Sequence, residues 1–587
     1  MACRSSPGSG RGATTSTAPR LLTRQFGDAV ATRCHRAGGH QLTGSLSSLE
    51  AGDLGATALG APEHAGASDG QPSALEVSRP APLVLVGRGR PGGRPQLRIW
   101  AASFAVIWVA VAAWSFASPM GSVPDEPAHL IRAASLVRGE FLGTPLPHTI
   151  SATKAYVTVE APQVFARLED DVVCFRYQPP SVPASCQGTL DGSSGEVRVD
   201  IYVGRYSPLY YSLVGLPTLV AVNPAGMYLA RLVSGALSAA MLALAVVSLR
   251  RCRGAPLLGA GLALAMTPMV IYLAGVVNPS GLEISSAISA WVAAMALTSE
   301  AAGTVPASVV GALGISTIVL MLTRGLSPLW AGFIGLGVIA LVGRPGRELL
   351  RRRCAQGWLA GCVAAGGAAL AWDLYADPFL IVPGSPVAHS TSTLQLLMLA
   401  MDRLRLLVTS SIGDFGWLDT PSPFAVIVTW LAALSAVVLL GTCLARRRDA
   451  LVAVGTVVAW GVVPVVLIMS QARSNGIIGQ GRDFMALGVG IPIVAGAVAG
   501  GRFAGRAATR RLATIVIVAL AVCQLADFYG TLRRYTVGIT GPLNAFASTP
   551  DAWHPPVPGP VLFLVFSFAI AAFGYILRRA APATAIA

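Results

Sequence analysis

The 587-residue chain is predicted to be an all-α polytopic membrane protein. Three observations carry that prediction. The chain is 53% hydrophobic and only 12% charged, about half the ~25% charge of soluble domains. Its mean hydropathy is +0.62. From Trp100 onward, apolar runs recur at a length that crosses a bilayer. So little charge cannot cover a water-facing surface, which excludes a soluble enzyme and a secreted disulfide scaffold. The net charge of +15 would suggest nucleic acid in a soluble chain, but here its placement has to be read first. Of the 43 basic residues only Lys154 is a lysine, the mark of a GC-rich coding bias.

Residues 1–95 are rich in Gly, Ser, Ala and Thr and show no sustained periodicity. They cannot bury enough apolar surface to offset chain entropy. They read as a disordered tail or as the product of a start codon assigned too far upstream, and lack the apolar core of a signal peptide.

A membrane-crossing helix needs about 20 apolar residues. The first run covers 96–118, and the others fall near 225–249, 255–277, 281–298, 305–323, 327–343, 357–372, 423–444, 450–470, 485–501, 511–528 and 560–577, about 12 spans within 96–577. The stretch 208–222 is interrupted by Pro208 and Pro217 and ends on Asn223-Pro224. It reads as a span or as a re-entrant or interfacial helix.

Arginine placement separates those readings, because basic residues collect in cytoplasmic loops. If 208–222 does not cross, Arg88–Arg98, Arg250–Arg253, Arg344–Arg353, Arg446–Arg448, Arg502–Arg511 and Arg578-Arg579 all share one side, 21 arginines in total. If it crosses, those clusters face outward. The expectation is therefore 12 spans, both termini in the cytoplasm (the tail 578–587 included), and a cell-membrane location. The positive charge is a topology signal and gives no support to nucleic-acid binding.

That topology puts 119–207, 373–422, 471–484 and 529–559 outside. The first is a small α/β loop domain with strand-like pieces at Ala155–Glu160 and Glu196–Val203, and ten acidic against seven basic residues. It holds Cys174 and Cys186, the only two of nine cysteines in an external loop. An oxidising exterior permits a disulfide there.

The sharpest motif is Ser122-Val123-Pro124-Asp125-Glu126-Pro127-Ala128-His129, just outside the first span. Helix capping accounts for one carboxylate and a proline in the first turn, but places no demand on the second carboxylate. Asp125 and His129, four residues apart, would share a helix face. Carboxylates at the membrane interface can act as a general base or bind a divalent cation.

Arg231 and Glu283 lie inside spans near their external ends, where ionisable groups are costly and suggest function. Snorkelling or mutual pairing is the plainer account. Arg324 occupies a tight external turn that the positive-inside rule disfavours, and its guanidinium suits a phosphate. Ile412-Gly413-Asp414-Phe415-Gly416-Trp417-Leu418-Asp419-Thr420 joins aromatic faces to carboxylates, which suits a sugar ring, and an interfacial aromatic belt is the alternative. Gln480-Gly481-Arg482 offers close backbone approach and a phosphate-binding arginine. Tyr210, Asn278 and these residues all fall on one face under a topology chosen from arginines elsewhere, which points to an external interfacial site.

Pro124-Asp125-Glu126-Pro127-Ala128-His129, Ser207-Pro208-Leu209-Tyr210-Tyr211, Asn278-Pro279-Ser280-Gly281, Phe415–Asp419 and Gln480-Gly481-Arg482 together resemble the bacterial predicted-membrane-protein family called domain of unknown function 2142, over about 98–577. That family resembles the GT-C fold glycosyltransferases, which use polyprenyl-phosphate sugars outside the cytoplasm. The resemblance implies an acidic catalytic residue in the first external loop, here Asp125 or Glu126. Where the family commonly has tyrosine after the last arginine, this chain has Asp483.

The expectation is thus a membrane glycosyltransferase for hexosyl or pentosyl transfer. The donor phosphate would sit on Arg231, Arg324 and Arg482, while His129, Tyr210, Trp417 and Asp419 would line the substrate site. The acceptor would be a cell-envelope glycan, a glycolipid or a protein, and Mg or Mn is left open as cofactor. Rival readings are a transporter or flippase of lipid-linked glycans and a non-catalytic scaffold in an envelope complex. A transporter needs repeated halves and polar groups near the midplane, and no internal repeat is visible in the sequence.

Overall fold

The computed structural model describes residues 93–146, 156–190, 193–252, 254–299, 305–342, 345–378, 387–388, 390–503, 506–544, 546 and 552–580. The tail through residue 92 and residues 581–587 lie outside these, as does part of the expected strand at 155–160. Arg88–Ala587 cluster as one compact unit.

Helix α1 (Gly93–Ala117) leads into α2 (Glu126–Leu136). A small sheet follows, built from β1 (Thr144–Pro145), β2 (Val157–Pro162) and, after the short helices α3 (Gln163–Ala166) and α4 (Leu168–Asp171), β3 (Glu196–Ile201). It is antiparallel in the order β1-β2-β3, with Thr158 opposite Asp200 and Glu160 opposite Arg198. Side chains alternate across a strand, so Val157, Val159 and Ala161 share one face and pack with Ala128 and Ile131 of α2. The sheet thereby fixes the orientation of α2, which is buried on every side.

The proline-interrupted stretch makes two short pieces, α5 (Pro208–Val214) and α6 (Pro217–Val220), neither long enough to cross a membrane. The helices α7 (Pro224–Leu249), α8 (Ala255–Ala265), α9 (Pro268–Ala274), α10 (Pro279–Ser299), α11 (Ala307–Met321), α12 (Ser327–Val342), α13 (Pro345–Leu350) and α14 (Arg353–Ala376) come next. Then α15 (Thr393–Gly413) leads to a tight hairpin of β4 (Asp414–Phe415) and β5 (Thr420–Pro421). The chain ends with α16 (Phe424–Cys443), α17 (Arg447–Asn475), α18 (Gly481–Gly488), α19 (Gly490–Arg502), α20 (Ala507–Val537) and α21 (Gly559–Ala580).

Every apolar run expected to cross coincides with helix. Among the described residues, nine helices are long and apolar enough to span, and α8 with α9, bent by 63°, would make a tenth. The apolar helices α11 and α12 are shorter, at 15 and 16 residues, so the expected twelve crossings are not all of full length. Helix α10 is central, with 94% of its apolar window buried, whereas α14 buries only 17% and so presents its sides to lipid. Helices α8 and α19 approach closely because Gly261 lacks a Cβ, which would lie 2.3 Å from the Pro492 carbonyl. The segment 373–422, read from sequence as an external loop, contains the 21-residue helix α15.

Candidate active site at the α1–α2 turn

The turn between α1 and α2 sends two neighbouring carboxylates to different places. Asp125 adopts a left-handed backbone (φ 68°, ψ −1°), a conformation that Asp and Asn tolerate better than other side chains. That twist at the start of α2 directs Asp125 away from Glu126.

Glu126 turns inward. Arg231 Nε donates to its Oε1 at 2.7 Å and Nη2 to its Oε2 at 2.6 Å. The amides of Gly121 and Val277 donate to the same carboxylate at 3.0 and 3.1 Å. Arg231 spends its other hydrogens on the carbonyls of Ser115, Ser118 and Pro119, each at 2.7 Å. All five guanidinium donors are used, and the side chains are 0% and 1% exposed. The pair joins α1, α7 and the residues before α10, and leaves neither partner a free valence for substrate.

Asp125 turns outward. Its carboxylate accepts from Tyr202 Oη and from Arg482 Nη2, and Arg482 Nη1 donates to the Pro124 carbonyl at 2.9 Å. Burial alone would push the Asp125 carboxyl up. The Arg482 guanidinium and hydrogen bonds from Tyr202 and Arg482 outweigh it, holding the carboxyl below its ordinary value. Even so, 25% of the side chain stays exposed. Asn278 Nδ2 also reaches the Pro124 carbonyl, at 3.3 Å.

One residue on from Arg482, Asp483 starts a second pair. Its Oδ2 accepts from the Gln480 amide at 3.1 Å, capping the start of α18. Its Oδ1 meets Arg324 Nη2 at 3.4 Å. Arg324 Nη1 contacts Glu283 at 3.0 Å and Ser280 at 3.2 Å, and Ser327 donates to the other Glu283 oxygen at 2.7 Å. The N-terminus of α18 thus ties Asp125 to Arg324 through the consecutive residues Arg482 and Asp483. A cavity of ≈ 440 Å³ opens beside Arg324 and Asp483, with Tyr206, Ser207, Gln471 and Asn475 on its walls.

His129 sits one helical turn from Asp125. Its Nδ1 is 2.8 Å from Tyr211 Oη, and its ring lies 6.1 Å from that of Tyr206. Burial pushes its pKa down to about 3, against the pull of Asp125 and with help from Arg482 and Arg324. The imidazole is therefore neutral at physiological pH. Tyr210 points elsewhere, its hydroxyl 2.8 Å from Ser234 Oγ on α7, so Tyr211 is the member of the pair that reaches the site.

Trp417 and Asp419 hold loops in place. Trp417 Nε1 donates to the Gly121 carbonyl at 3.0 Å, and its ring packs 4.7 Å from the Arg176 guanidinium and 5.5 Å from the Tyr177 ring. Asp419 lies 3.5 Å from Arg534, which donates to the carbonyls of Val182 and Phe175 at 2.8 and 3.1 Å. Those two carbonyls belong to the segment closed by the Cys174–Cys186 disulfide. Tyr177, 69% exposed, is left as the open aromatic beside Trp417.

Sequence reasoning missed Tyr202, and of the motif pair Tyr210-Tyr211 it assigned the substrate site to Tyr210. Both are brought in by tertiary packing, Tyr202 from the end of β3 and Tyr211 from α5; Tyr202 carries no local signal, and nothing local separates Tyr211 from Tyr210. Among the described residues no group of three or more His, Cys, Asp or Glu side chains is placed to hold a metal ion.

These features define a multi-span membrane protein with a carboxylate–arginine centre gathered at one end of its helix bundle. The chain belongs to the family described as Predicted membrane protein (DUF2142), which matches residues 108–491. No curated protein matches it. Among solved structures, ArnT from Cupriavidus metallidurans, crystallised bound to undecaprenyl phosphate, is similar at 12% identity, with 82% of this chain and 77% of that chain covered and a TM-score of 0.39.

Proposed function

We propose that this protein is a GT-C-type membrane glycosyltransferase that moves a sugar from a polyprenyl-phosphate donor to a cell-envelope glycan, glycolipid or protein on the external face. The observation that carries the reading is the array Asp125–Arg482–Asp483–Arg324, two ion pairs joined through consecutive residues of α18, in which Asp125 stays partly exposed while Asp483 and Arg324 line the cavity.

In this reading Asp125 is the general base. It takes the proton of an acceptor hydroxyl as that oxygen attacks the anomeric carbon. The bond from that carbon to the phosphate oxygen breaks, and polyprenyl phosphate leaves with the electron pair. Displacement in one step inverts the anomeric configuration. Arg482 and Arg324 hold the departing phosphate, since guanidinium binds phosphate oxygens in a fork. Drawing Arg482 from Asp125 to the phosphate would raise the proton affinity of Asp125 as the donor arrives, coupling donor binding to activation of the base. Glu126 and Arg231 drop out of the chemistry because they satisfy each other, and Trp417 and Asp419 support the loop that bears Tyr177. A divalent metal would have Asp125 and Asp483 as its nearest carboxylates, both already engaged by arginine, so no step is assigned to one.

The test uses purified protein in detergent with synthetic polyprenyl-phosphate sugars. Asp125→Asn should reduce transfer about 10²–10⁴-fold with unchanged expression and a melting temperature lowered only by the loss of its pairing with Arg482. Undiminished transfer overturns the assignment. The 63° break between α8 and α9 favours a second reading as a lipid-linked-glycan transporter. Sugar transfer in detergent, where there is no second compartment, would decide against it.

A further inference from the structure

We propose a binding site for an anionic phospholipid in a groove between α12 and α17, at the opposite end of the bundle from Asp125. Two adjoining cavities form it. One, of ≈ 640 Å³, is walled by apolar side chains including Trp291, Phe333, Leu336, Ala340, Leu451 and Ala459. The other, of ≈ 300 Å³, has mixed walls, with Thr298, Ser299, Arg446, Asp449 and Arg502 facing apolar residues such as Leu341 and Val498. They meet at consecutive residues on both helices, Ala340 with Leu341 on α12 and Arg448 with Asp449 on α17.

Dimensions and charge together identify the occupant. From Arg448 to Ala459 the α17 wall runs about 16 Å at helical rise, close to the depth of one leaflet of a ~30 Å hydrocarbon core. The smaller cavity carries two guanidinium groups against one carboxylate, and neither Arg446 nor Arg502 forms an ion pair among the described residues. It also faces the amino end of α17, whose dipole favours negative charge. A phosphodiester headgroup on Arg446 and Arg502 with an acyl chain along the apolar wall satisfies both halves. Basic pockets between membrane helices bind anionic headgroups in this way. The site is separate from the proposed transfer chemistry and does not depend on it.

The test reconstitutes the full chain and measures retention of phosphatidylglycerol against phosphatidylcholine by native mass spectrometry. Wild type should prefer phosphatidylglycerol. Arg446→Gln with Arg502→Gln should weaken that binding about thirtyfold, since each basic residue at an anionic surface is worth roughly fivefold. Arg578→Gln with Arg579→Gln, two charges at the end of α21, should leave it unchanged. Gly455 lines the apolar cavity, and a Cβ there meets nothing within 4 Å, so Gly455→Phe should fill the groove and weaken binding with all charges intact. Equal losses in the two arginine pairs would reduce the effect to surface charge and overturn the site, as would normal binding by Gly455→Phe. Displacement of the phospholipid by equimolar polyprenyl phosphate would give the groove to another lipid and equally overturn the proposal. Unchanged lipid-free melting temperatures establish that the variants are folded, and Leu336→Trp provides a second groove-filling variant should Gly455→Phe not be.

Discussion

Asp125 and Glu126 are consecutive, yet their carboxylates serve different arginines: Glu126 is sealed against Arg231, and Asp125 meets Arg482 with a quarter of its side chain still exposed. The left-handed backbone at Asp125 produces this divergence. Two acidic residues that look interchangeable in sequence therefore have opposite expected phenotypes.

Glu126→Gln should unfold the protein more easily and tell little about chemistry. It leaves the Arg231 charge buried without its counter-ion, at a cost of about 3–5 kcal/mol. Thermal unfolding in detergent measures this. Removing both charges, Glu126→Met with Arg231→Met, should cost less than the sum of the two single changes. Additive losses would show that the two do not act as a pair.

Tyr202→Phe removes a hydrogen bond that stabilises the ionised form of Asp125, so the Asp125 pKa should rise. The acid limb of the pH–rate profile should then move to higher pH, with little change in melting temperature at neutral pH. The same lowered pKa gives Asp125 a stabilising contribution that is complete above its ordinary value of 3.8 and is lost as pH falls through the lower folded value. An acid limb that does not move in Tyr202→Phe would detach that limb from Asp125.

His129 should remain neutral through the working pH range. Its folded pKa of about 3 lies below the ordinary 6.5, so the unfolded chain binds the extra proton first. The stability it contributes is complete above 6.5 and is lost progressively as pH falls toward about 3. In His129→Gln the loss of melting temperature between those limits should be smaller than in wild type. A wild-type-like slope would assign the acid sensitivity to other groups.

Trp417→Phe should loosen the turn that presents Asp125. It deletes the indole N–H that satisfies the buried Gly121 carbonyl, a change worth about 1–3 kcal/mol. Asp419→Asn should loosen Arg534, whose hydrogen bonds hold the disulfide-closed segment, and so speed proteolysis of that segment. Either variant retaining full stability and full protease resistance would refute the supporting role.

The sequence alone determined the class of this protein and the acidic motif around which to look for its chemistry. Apolar runs and arginine clusters are local properties, and a bilayer acts on them segment by segment, so the helices and the non-crossing piece at 208–222 were legible from Trp100 onward. The acidic motif after the first span was legible for the same reason. Helix α15 was not, because Asp402, Arg403 and Arg405 interrupt its apolar residues and leave no membrane-crossing run.

Only the tertiary structure decided which carboxylate is open, which arginine is already spent, that Tyr202 meets Asp125 and that Tyr211 meets His129. Each of these depends on a pairing across 77 to 357 positions of chain. Side-chain geometry sets such a pairing, and residue type leaves it open. The chemistry of aspartate beside glutamate is nearly the same in solution. What separates the two here is burial and the left-handed turn between them, and both arise only when α1, α2, α7 and α18 meet.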